Sequence, residues 1–254
     1  DRKLTTIHTE KDVKPAGIAI HKDRRIFVAA VGRINSENRF EGGTVFALDP
    51  DGSNRQTIVA PDLGYIVDDM VFDDEGGFYF TDHGKRRPRD VDLGGLYYAR
   101  TDGSLISELV QPMIMPNGVG LSPDEQTVYV AETRTGHLWA FDIVSPGVIR
   151  KQPPHENGGR HLAGPAGYTS FDSLAVERGG NICVASLVLG GINVIAADGG
   201  FVEFIAMPDP ICTNICFGGP DLKTACITLS STGRVVSLPW ARPGLRLNFD
   251  PCRP

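Results

Sequence analysis

The sequence predicts an all-β protein, a six-bladed β-propeller with its first blade incomplete, forming a single domain over residues 1–254. Three observations predict it. A strand–turn–strand pattern recurs five times at the spacing of propeller blades. Glycine (30) and proline (18) are plentiful, as many short strands joined by turns require. No segment carries the apolar period of a long amphipathic helix.

The recurring unit is a polar residue at a turn, an alternating apolar strand, an Asp/Gly-rich turn and a second apolar strand. Its copies are PAGIAIHKDRRIFVAA from Pro15, VDDMVFDDEGGFYFTD from Val67, PNGVGLSPDEQTVYVAE from Pro116, FDSLAVERGGNICVAS from Phe171 and CTNICFGGPDLKTACITLS from Cys212. Anchored on Ala16, Asp68, Asn117, Asp172 and Thr213, the steps are 52, 49, 55 and 41 residues by subtraction. The turns HKDRR, DDEGG, SPDEQ and ERGGN place Gly, Asp and Pro where tight backbone torsions need them.

Between the copies lies a second hairpin signal, beginning at Gly42, Gly94, Gly136, Gly190 and Gly233, which brings each unit to four strands. LTTIHTE from Leu4 reads as the outer strand of an earlier blade whose inner hairpin would precede Asp1. That reading makes six blades, the first incomplete; a five-bladed ring is the alternative.

Composition narrows the function. With 41% hydrophobic residues the chain can bury a core, and the net charge of −6 with mixed signs speaks against nucleic acid as a partner. No apolar run approaches the ~18 residues of a membrane helix. Five cysteines cannot all pair within the chain. Cys212 and Cys216 lack zinc-ligand spacing, so buried free thiols are expected, which favours a reducing, cytoplasmic setting.

In a propeller the inner strands line a central channel, and residues at one end of them converge on its mouth. Asp68, Asn117 and Asp172 each stand just ahead of an inner strand, from three separate repeats. Oxygen donors of this kind suit a hard cation, calcium before magnesium. The bland alternative is that Asp and Asn only cap the turns before the strands.

VDDMVFDDEGGFYFTDHG, MPNGVGLSPDEQTVYVAET and FDSLAVERGGNICVAS resemble segments of the senescence marker protein/gluconolactonase/luciferin-regenerating enzyme-like family. The DDMVFD-x-x-GGFYFTD wording is most similar to its drug-responsive lactonase branch. The resemblance implies a six-bladed propeller with one calcium at the channel mouth and hydrolysis of a lactone. It implies Asn117, Asp172 with Ser173 beside it, and Asp68 as metal ligands. It also implies Asp172 as the proton-transfer residue, and Asp68 and Asp69 on the substrate side. A first-blade glutamate in an E-G-P-like segment completes the family's site, and this sequence has no such segment. A second, structural calcium is implied near Gly42 and Asp62.

Other signals are discounted. DPDGSN from Asp49 begins like a calcium loop, but position twelve is Ala60, not glutamate. There is no G-x-S-x-G and no H-E-x-x-H. His83, His155 and His161 are expected at the surface of long loops (32–43, 83–95 and 150–170), and KRRPR from Lys85 in a solvated loop. Three functions compete: a calcium-dependent lactonase acting on a small molecule, a non-enzymatic calcium-binding or scaffold propeller, and an organophosphate hydrolase at the same site.

Overall fold

The computed structural model describes residues 5–36, 39–164 and 166–249. Apart from one 3₁₀ turn at Pro61–Leu63, the elements are all strands. Blade one comprises β1 (Pro15–Ile20) and β2 (Ile26–Ala30), a small outlying hairpin of β3 (Arg33–Ile34) and β4 (Phe40–Glu41), then β5 (Thr44–Leu48) and β6 (Gln56–Val59). Blade two is β7 (Val67–Phe72), β8 (Gly77–Asp82), β9 (Gly94–Arg100) and β10 (Ile106–Met113). Blade three is β11 (Pro116–Leu121), β12 (Thr127–Glu132), β13 (Leu138–Ser145) and β14 (Val148–Arg150), with β15 (Arg160–Ala163) also pairing β13. Blade four is β16 (Ser170–Val176), β17 (Ile182–Leu187), β18 (Gly191–Ile195) and β19 (Phe201–Ala206). Blade five has only three strands, β20 (Cys212–Gly218), β21 (Thr224–Leu229) and β22 (Arg234–Pro239). All pairing is antiparallel.

Each repeat read from the sequence makes one blade, so the described residues form five blades, not six. The segment expected as the outer strand of an earlier blade is irregular over residues 5–10, and Leu4 lies outside the described residues. A strand needs a ladder partner, and the outer place beside β5 is already taken by β6. Instead this segment crosses the turn at Gly52, whose carbonyl oxygen lies 3.2 Å from His8 Nδ1.

Because strand residues alternate between the two faces of a blade, each blade presents an apolar layer to both neighbours. Four clusters lie between blades, and a fifth, of Val28, Ala30, Phe46 and Leu48, lies within blade one. Phe27, Val45, Phe78 and Phe80 fill the space between blades one and two, and Leu96, Val110, Val128 and Phe141 that between two and three. Tyr129, Leu138, Phe171 and Ile182 join three to four, and Cys183, Ile192, Ile215 and Ile227 join four to five. No such cluster joins blade five to blade one among the described residues. Ile18 and Ile20 on that side of blade one stay exposed.

The inner strands β1, β7, β11, β16 and β20 enclose a channel of about 220 Å³, lined mainly by apolar residues such as Ile18, Val119, Leu174 and Ile215. A C-terminal strap closes one end of it. Leu245 N–H donates to Val176 O (2.8 Å), Asn248 Nδ2 donates to Phe72 O (3.0 Å), and the Phe249 ring meets His21 and Phe72. These partners sit at or just past the C-terminal ends of inner strands, and the strands begin at the opposite end; of the candidate site residues, Asp69 lines the channel.

Candidate metal and catalytic centre

Every inner strand is irregular where it begins. The register shifts between Pro15 and Gly17, Val67 and Met70, Pro116 and Val119, Phe171 and Leu174, and Cys212 and Asn214. Such bulges leave residues out of the ladder and re-aim their side chains. The residues released are Ala16, Asp68 with Asp69, Asn117 with Gly118, Asp172 with Ser173, and Thr213. The sequence anchors are therefore bulge residues, out of the ladder where each inner strand begins.

The bulges of blades two, three and four meet. Asn117 Nδ2 donates to Asp68 Oδ2 (3.4 Å), and the Asn117 amide stands near enough to the Asp172 carboxylate to favour its ionised form. The Ser173 hydroxyl lies 3.4 Å from Asn117 Oδ1 and also reaches the Asp69 carboxylate. Asp68 and Asp172 are half-buried, while Asp69, Asn117 and Ser173 are buried. All five sequence-derived site residues thus fall in one cluster. Asp69 differs from the others in being held from below: its Oδ1 accepts from Met70 N–H (2.8 Å), and its own N–H donates to Thr81 Oγ1 (3.2 Å).

Electrostatically the cluster is short of positive charge. Burial pushes Asp68 up to about 7. Burial, and then the neighbouring Asp68 carboxylate, push Asp69 to about 7 against the pull of Met70 N–H. Asp172 is raised well above the carboxylate range by burial, then by Asp68 and Asp69. Among the described residues no lysine or arginine pairs with any of the three. Carboxylates packed this way lack a counter-cation.

The donor chemistry fits calcium: carboxylate, amide and hydroxyl oxygens, with no imidazole or thiolate. No group of three or more His, Cys, Asp and Glu side chains makes a metal cage among the described residues. The fit therefore leans on the Asn117 amide and the Ser173 hydroxyl. Near the second expected ion site, Gly42 lies beside Pro61, and Asp62 is exposed on the 3₁₀ turn.

Sequence reasoning missed what holds the cluster together. A Cβ on Gly118 would sit 2.7 Å from Leu174 N and 2.8 Å from Asp172 O, so glycine lets blade three touch the backbone of blade four. A Cβ on Gly17 would meet Asp69 Oδ1 at 2.7 Å. The signal was present, since PAG and PNG place Gly one residue after the anchor in both repeats. Thr81 offered none. Elsewhere, His83 is half-buried rather than on the surface, and burial lowers it to about 4. His155 and His161 are exposed. Arg87 of the KRRPR run is ion-paired to Asp90 and Asp92 within its own loop. The buried-thiol expectation holds for Cys183 and Cys212 but not for Cys216, which is exposed; Cys252 lies outside the described residues. No helix among the described residues is long and apolar enough to cross a membrane.

Comparison with known proteins fits this arrangement. The chain is 36% identical over 211 residues to the lactonase drp35 of Staphylococcus saprophyticus, covering 82% of this chain and 61% of that protein. It is also 36% identical over 196 residues to lactonase drp35 of Staphylococcus aureus, covering 76% and 57%. The chain thus spans about three fifths of the length of these curated relatives. Its fold is similar to a gluconolactonase from Xanthomonas campestris (TM-score 0.68, 24% identity, 89% of this chain and 71% of that one). It is similar too to the calcium-binding protein regucalcin from Agrobacterium tumefaciens (TM-score 0.67, 18% identity, 91% and 79%). Residues 41–231 match the SMP-30/gluconolactonase/LRE-like region, and the chain belongs to that family.

Proposed function

We propose that this propeller hydrolyses a lactone at the channel mouth with calcium held by Asp68, Asn117, Asp172 and Ser173. The observation that carries the reading is the meeting of bulge residues from three consecutive blades, all oxygen donors, around carboxylates with no cation to offset them. The relatives named as lactonases supply the reaction class.

Bound there, calcium would polarise the lactone carbonyl as a Lewis acid and hold water beside it. The protein's own residues do the rest. Asn117 stands between Asp68, to which it donates a hydrogen bond, and Asp172, whose ionised form it favours. Asp172 takes a proton from the water that attacks the carbonyl carbon, and returns it to the ring oxygen as the C–O bond breaks, giving the hydroxy acid. Asp68 contacts the substrate, and Asp69, locked beneath by Met70 N–H, orients it.

The test is a pH-stat assay of a small lactone before chelation, after chelation and after calcium is restored. Turnover should vanish and return. Undiminished turnover of the chelated, dialysed protein would sink the metal role. Absence of turnover against every small lactone tried, with calcium bound, would sink the reaction.

A further inference from the structure

Four cysteines lie among the described residues, and none is bonded to another. Cys183 and Cys212 are fully buried between blades four and five, where burial pushes both thiols up, Cys212 to about 11. Cys216 and Cys226 differ: the first is exposed, the second half-buried. They stand directly opposite each other in the β20–β21 ladder, close enough for the Cys226 thiol to raise the proton affinity of Cys216.

Opposed residues of an antiparallel pair have Cα atoms ~4.5–5.5 Å apart, within the ~4.4–6.8 Å that a disulfide spans. The register here runs unbroken from Asn214↔Thr228 to Gly218↔Thr224, so both side chains leave the same face. Ile215, Ala225 and Ile227 on the other face fill the core with blade four, which leaves the cysteines on the side turned away from it. Cys216 also lines the channel next to Asn214.

The geometry points to Cys216 and Cys226 as a reversible redox pair that closes a cross-strand disulfide within blade five. One cysteine thiolate attacks a sulfur of an external disulfide such as oxidised glutathione, expelling a glutathione thiolate and leaving a mixed disulfide. The second cysteine thiolate attacks the protein sulfur and expels the other glutathione. The two protons given up by the cysteine thiols are taken up by the two expelled glutathione thiolates, and two electrons from the cysteines reduce one external disulfide to two thiols. Partial desolvation and then the Cys226 thiol raise the Cys216 thiol, so the exchange runs faster in alkaline solution. Blade five has three strands where its neighbours have four or more, and the staple would fasten the inner strand beside the channel.

The experiment treats the protein with oxidised glutathione at about pH 8.5, near the ordinary thiol value, and follows intact mass, peptide maps and Tm. Expected is a loss of about 2 Da mapped to a Cys216–Cys226 linkage and reversed by dithiothreitol. It should be absent in Cys216→Ser and in Cys226→Ser, and should bring a Tm rise of about 5 °C in the unsubstituted protein alone. Three results would overturn the proposal: a reaction that stops at the mixed disulfide, pairing only between molecules on a non-reducing gel, or a linkage that persists in Cys216→Ser.

Discussion

Thr81 donates a 2.6 Å hydrogen bond from its hydroxyl to the main-chain carbonyl of Asn117, while the same oxygen accepts from Asp69 N–H. One fully buried hydroxyl on β8 therefore pins the bulges of blades two and three. Thr81→Val keeps the shape but leaves a buried N–H and a buried C=O without that partner. It should cost about 1–3 kcal/mol in denaturant unfolding and lower turnover by shifting Asn117, whereas Thr81→Ser should recover most of both. Equal behaviour of the two variants would remove Thr81 from the account.

Gly118 sets how closely blades three and four approach. Gly118→Ala puts a methyl group against Leu174 N and Asp172 O, both backbone atoms that cannot swing aside. A loss of about 1–3 kcal/mol is expected, with activity falling further than stability alone explains, because the Asp172 bulge must move. Gly179→Ala serves as the control: nothing lies within 4 Å of its Cβ, and its stability should stay within about 0.5 kcal/mol of the parent. A neutral Gly118→Ala would mean that the bulges have room to spare.

The acidic cluster gives the metal-free protein a characteristic pH dependence. Asp68 and Asp69 titrate near 7 in the fold, against ~3.9 in an unfolded chain. Carboxyls with raised folded-state values contribute stability while protonated: it is whole below about 4 and lost as pH climbs through about 7. His83, lowered to about 4, acts in the opposite sense between about 4 and 6.5. The measurement is therefore a difference in unfolding free energy, unsubstituted protein minus Asp68→Asn. That difference should fall by on the order of 1–3 kcal/mol from pH 5 to pH 8 without metal, and calcium should reverse the fall at pH 8 only. A difference independent of pH would show that Asp68 is not desolvated.

Asp172→Asn keeps one oxygen donor and the shape but cannot take a proton. Turnover at saturating calcium should drop by ~10²-fold or more, with the blade core intact by circular dichroism. Asn117→Asp retains an oxygen and adds a charge, so metal binding should survive with altered activity. Near-normal turnover of Asp172→Asn would pass the proton-transfer role to Asp68 or Asp69.

The blades were legible because each carries its own turn chemistry and alternating strand, a local signal repeated five times. The blade count was not, since a sixth depended on reading LTTIHTE as a strand, and pairing is a property of the partner rather than of the segment. The anchors Asp68, Asn117 and Asp172 stood out because the fold makes equivalent positions meet. The bulges that aim them, the Thr81 bridge and the close approach at Gly118 are contacts between blades, with sequence separations such as the 36 residues between Thr81 and Asn117. Cys216 was misread for a related reason: an apolar strand pattern does not say which of its two faces a further blade will cover.

Calcium binding to the purified protein, followed by titration calorimetry near pH 8, tests the convergence of Asp68, Asn117 and Asp172 most directly, because it needs no substrate. The account predicts one ion held by the unsubstituted protein and affinity reduced at least tenfold in Asp68→Ala, in Asn117→Ala and in Asp172→Ala alike, each about 1.4 kcal/mol or more. Binding that survives unchanged in any two of these variants would contradict a shared site at the channel mouth.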